Sequence, residues 1–85
     1  MNIEEYIKKE APHCEDPDLA VSQHDRAYAM ALREAYGLYQ NMNLNQLLYE
    51  QRIVRMTPEG MPTHRHVAKA MLLMDLIKEK KADLR

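Results

Sequence analysis

The chain of 85 residues has no tryptophan, no phenylalanine, a single cysteine (Cys14) and only two glycines. Without Trp and Phe, its large core side chains have to be Leu, Ile, Val, Met and Tyr. One cysteine excludes an intrachain disulfide framework and fits a reducing compartment. The longest apolar run, residues 70–74, is far short of the ~20 residues that a membrane helix requires. The opening Met-Asn-Ile-Glu-Glu shows neither the basic nor the apolar region of a secretory leader. The expectation is a cytoplasmic protein with no membrane association.

Seven Met and five Tyr are present. Methionine fills irregular gaps but specifies packing poorly, and it is over-used at adaptable binding surfaces. A chain this short buries roughly 60–65% of its unfolded surface, so a second copy is a natural source of further stability. The formal net charge is −1, which argues against a general nucleic-acid coat protein. The charge is uneven, however. Residues 1–42 hold eight acids against four bases, and residues 43–85 hold five acids against eight bases. An acidic-to-basic contact within the fold, one between copies, or a basic binding face would each follow from this asymmetry.

Apolar spacing is helical nearly everywhere, which predicts an all-α fold: a small bundle of three to four helices, completed by homo-oligomerisation. Asn2 with Glu5 has capping-box spacing and opens a helix over residues 2–10. Ala11 precedes Pro12 and closes it. Asp16 followed by Pro17 reads as an N-cap with proline at N1 and opens a helix over 17–41, with Tyr28, Leu32, Ala35, Tyr39 and Met42 as its stripe. The apolar rhythm then continues through Gln46, Tyr49, Ile53 and Met56. Asn43 with Gln46 nevertheless makes a second capping box, with Met42 and Leu47 as a hydrophobic staple, so a break and a separate helix over 44–56 are favoured. The Pro-Gly-Pro stretch at 57–62 is a loop. Thr63 caps a last helix over 63–81, whose buried face is read as Val67, Ala70, Met71, Met74 and Ile77, widened by Leu72, Leu73 and Leu76.

The motif His64-Arg65-His66 suggests a metal or an anion. If Thr63 is the cap, the two histidines sit about 200° apart on the helix and cannot share an ion. A further ligand would have to come from His13 with Cys14 or from His24 with Asp25, and none of these spacings matches a zinc signature. No metal site and no cofactor are expected. An anion is better served. Arg52 and Arg55 precede the loop, while Arg65, His66 and Lys69 follow it at a helix start whose N–H groups favour anions. In a hairpin these residues could hold a phosphate, a nucleic-acid backbone or an acidic partner.

Catalytic constellations are weak. Cys14 has Glu15 and Asp16 beside it, which oppose a thiolate, and there is no Gly-rich phosphate loop and no nucleophile elbow. Loop length and two prolines argue against a helix-turn-helix. The sequence reading is therefore a non-enzymatic binding protein without catalytic residues: an adaptor, regulator or inhibitor of another macromolecule, and a homo-oligomer with the dimer favoured. Its protein partner would meet an apolar surface that includes Tyr39, Met71, Leu72, Leu73 and Leu76. The alternative is binding of nucleic acid or a phosphorylated ligand through Arg52, Arg55, Arg65, His66 and Lys69.

Overall fold

The computed structural model describes residues 1–17, 19–56 and 63–83. Within them the chain forms four helices, α1 (Ile3–Glu10), α2 (Leu19–Tyr39), α3 (Leu44–Met56) and α4 (His64–Asp83), and no strand. The loop read at 57–62 lies outside the described residues.

Local chemistry sets most of the ends. Asn2 Oδ1 accepts from the N–H groups of Glu4 and Glu5, satisfying two donors that α1 itself leaves unpaired. Ala11, 0% exposed, stops α1 in a non-helical conformation, as the following proline demands. The connection is a tight turn over 12–15, tied down by α2: Arg26 donates to the carbonyls of Cys14 and Asp16, and Asp25 accepts from the His13 N–H. Asp16 lies three residues before α2 begins at Leu19, and its carbonyl is engaged by Arg26.

Between α2 and α3 the box closes in both directions: Asn43 N–H donates to Gln46 Oε1, and Gln46 N–H to Asn43 Oδ1, both at 2.9 Å. The break changes which side of the following helix is buried. Leu47 and Val54 turn inward, at 0% and 8% exposure, while Tyr49, Ile53 and Met56, the residues that would continue the stripe of α2, face out. Thr63 caps α4 through its Oγ1, which accepts from the His66 N–H.

The core is built around α4, which packs against α2 on one side and α3 on the other, with α1 laid on α2. Leu32, Leu47, Leu72 and Leu73 are completely enclosed; each contributes about 1.5–3 kcal/mol relative to an exposed position. The buried face of α4 is Ala68, Leu72, Leu73, Leu76 and Ile77. Of the face read from sequence, Ile77 and the widening residues Leu72, Leu73 and Leu76 are buried, while Val67 and Met74 are 38% and 41% exposed. Flanked by helices on two sides, α4 buries the rows that hold its leucines, and its valine and methionines lie towards the outside.

At the other end the amino terminus meets Glu79 at 2.6 Å, Tyr36 donates to the Met1 carbonyl, and Tyr6 donates to Asp75 Oδ2 at 2.6 Å. The shape is a slab, 42 × 31 × 16 Å, with a radius of gyration of 13.6 Å against about 12 Å for a globule of this length. No helix among the described residues is long and apolar enough to cross a membrane.

Candidate functional site

Three elements meet around a cavity of about 670 Å³ lined by Glu10, His24, Tyr28, Thr63, His64, Val67 and Met71. Its size is that of a small-molecule site. Tyr28, Val67 and Met71 make an apolar wall, and Glu10, His24, Thr63 and His64 supply the polar atoms. The two histidines, 40 residues apart in sequence, are in direct contact. His64 Nε2 and His24 Nδ1 lie 2.8 Å apart, and the rings meet edge-on with centroids 4.5 Å apart. Glu10 stands at the C-terminal end of α1, and among the described residues no hydrogen bond or ion pair engages its carboxylate. Burial first, then the nearby charges of Glu10 and Asp75, push the Tyr28 phenol above its ordinary range, so that hydroxyl stays protonated and available to donate.

His64 and His66 occupy the first and third positions of α4, so the helix directs them about 200° apart and they form no pair. The contact that does form, His24 with His64, depends on how α2 packs on α4 and carries no sequence-local signal. Among the described residues no group of three or more His, Cys, Asp or Glu is gathered as a metal site.

Arg65 holds Glu34 of α2, with Nη2 3.1 Å and Nε 3.3 Å from the same carboxylate oxygen. Lys69 lines the neighbouring small cleft with Ala31, Glu34, Ala35 and Leu38. Arg52 and Arg55 are exposed on α3, and at 100° per residue Arg52 points away from the side that carries Leu47 and Val54. Arg65 and Lys69 thus meet around an acid. His66 is half-buried near the α4 cap. The Glu34–Arg65 pair links the acidic half of the chain to the basic half inside one molecule.

Four of the five residues expected to face a partner are interior. Tyr39, Leu72, Leu73 and Leu76 are at most 7% exposed, and Met71 is half-buried on the cavity wall. These residues close the chain's own core, because α2 and α3 cover α4 from both sides. The exposed apolar residues are elsewhere. On α3, Tyr49 and Met56 are 64% and 71% exposed, one heptad apart and opposite Leu47 and Val54, with Ile53 beside them. A shallow dent of about 380 Å³ lined by Met42, Asn45, Tyr49 and Glu50 continues that face toward the α2–α3 corner. On α2, Met30 and Leu38 are 64% and 60% exposed. No protein-family model, no curated protein and no solved structure matches this chain, and its function has to be argued from these surfaces.

Proposed function

We propose that this is a non-enzymatic helical binding protein that works as a homodimer, an adaptor or regulator of another macromolecule, and that a second copy covers the outer face of α3. The observation that carries the reading is the outward placement of Tyr49 and Met56 on a helix whose main packing is against α4. Tyr, Met and Arg are the residue types enriched at protein interfaces, and Arg52 lies on the same outer face. Met30 and Leu38 on α2 are then left as the smaller apolar area for the regulated macromolecule.

Light scattering coupled to size-exclusion chromatography tests this reading. The native chain should run at twice its 10.0 kDa mass, and a Tyr49→Lys/Met56→Lys double variant should run as a monomer with unchanged helix content. A native chain that stays monomeric at its highest soluble concentration would overturn it. The nucleic-acid alternative makes the opposite demand: polyanion binding that falls steeply with salt and is abolished by Arg65→Glu.

A further inference from the structure

We propose that His24 and His64 form a two-imidazole site for a divalent transition-metal ion, nickel or copper in type, at the mouth of the cavity between α1, α2 and α4. The sequence offers His64-x-His66, which the helix separates; packing offers a different pair. His24 Nδ1 and His64 Nε2 face each other at 2.8 Å, each from a different helix. With metal–nitrogen bonds of about 2.0–2.1 Å, two ligands at a right angle lie about 2.9 Å apart and two tetrahedral ligands about 3.4 Å apart. The spacing therefore suits the tetragonal geometry of Cu²⁺ and Ni²⁺, and Zn²⁺ would require the rings to separate.

A hydrogen bond between the two facing nitrogens places a proton on one of them and a lone pair on the other, according to the tautomers. On metal binding that proton moves to the other nitrogen of its own ring, which leaves two lone pairs for the ion and no net change of charge on the imidazoles. The surroundings suit a cation from one side. Glu10 lies on the same cavity wall at the negative end of α1, with no hydrogen bond or ion pair among the described residues. The positive end of α4 opposes a cation at His64, and Glu10 offsets that opposition. No third His, Cys, Asp or Glu of the described chain is gathered close enough to ligate. Water, or a donor group of a small molecule seated against Tyr28, Val67 and Met71, completes the coordination. The ion clips α2 to α4 across 40 residues of chain, so binding shows as stability as well as heat.

The test is calorimetric titration of the untagged protein with Ni²⁺, repeated with Zn²⁺, alongside thermal unfolding in the presence and absence of the ion. One Ni²⁺ per chain should bind and raise Tm, more tightly than Zn²⁺. Removing even an outer partner of a metal ligand costs about 10–100-fold in affinity, so His24→Gln and His64→Gln should each weaken Ni²⁺ at least tenfold and abolish the rise in Tm. His13→Gln and His66→Gln should leave both unchanged. Ni²⁺-induced broadening of native-chain NMR signals, centred on residues 24 and 64, gives the same answer without any substitution should a variant fail to fold. Absence of binding, unchanged binding in His24→Gln, or broadening centred on residues 64 and 66 or on residue 13 would overturn the proposal.

Discussion

Among the described residues, Ser22 is the side chain that the core encloses at a cost. It is 0% exposed within α2, and among the described residues its hydroxyl has no hydrogen-bond partner. An unbonded hydroxyl costs about 1–3 kcal/mol on burial by mutational measures, and serine is also the weaker helix former by a few tenths of a kcal/mol. Ser22→Ala removes both penalties and deletes a single oxygen, so it should stabilise the fold by about 1–2 kcal/mol. In a domain of this size each kcal/mol is worth about 4–8 °C in Tm. Urea unfolding followed by far-UV circular dichroism reads the change as a higher midpoint at an unchanged slope. Ser22→Thr is the control: it keeps the unbonded hydroxyl and adds a methyl to a fully buried site, which should cost about 1–3 kcal/mol. A Ser22→Ala chain that is less stable than the native one by 1 kcal/mol or more would refute the reasoning, because it would show the hydroxyl to be bonded in the folded state.

Leu72→Ala, at a position with 0% exposure between two helices, should cost about 2.7–5 kcal/mol in the same assay; a cost below 1 kcal/mol would mean that α4 is not the centre of the core. Gly37 is an exposed helical glycine with nothing within 4 Å of an added Cβ, so Gly37→Ala should raise stability by about 1 kcal/mol, and any loss would reveal a neighbour at that surface. Burial and the hydrogen bond to Asp75 hold the Tyr6 phenol well above its ordinary range. A raised folded-state value means that this contribution is intact below the unfolded tyrosine's pKa of ~10 and is lost as pH climbs beyond it. Tyr6→Phe should therefore flatten the alkaline fall in stability, with Tyr28 and Tyr39 supplying what remains; identical profiles for the two chains would refute the assignment.

What could be read from the sequence was local. The box of Asn43 with Gln46 and the cap at Thr63 involve atoms three residues apart, and the same atoms bond in the fold. The inward side of α4 was not legible, because Val67, Met71 and Met74 offer as good a stripe as Ala68, Leu72 and Leu76; the choice belongs to α2 and α3, which cover the leucines. The same ambiguity made interior leucines look like a partner surface and hid Tyr49 and Met56, which a break of a few residues turns outward. The cavity pair His24–His64 and the ion pair Glu34–Arg65 join residues 40 and 31 positions apart, beyond the reach of any spacing rule.

Because α2 and α3 each pack on α4 rather than on one another, the order of synthesis matters. When the ribosome has made α1 to α3, none of the fully enclosed leucines has its final neighbours, and α2 has only the short α1 to lean on. The chain must therefore carry its apolar faces uncovered until α4 emerges, a period in which chaperones and proteases compete with folding. A cell that stalls translation within α4 would hold a helical but coreless intermediate. Helix α4 thus decides whether α1 to α3 become a folded bundle or a substrate for degradation.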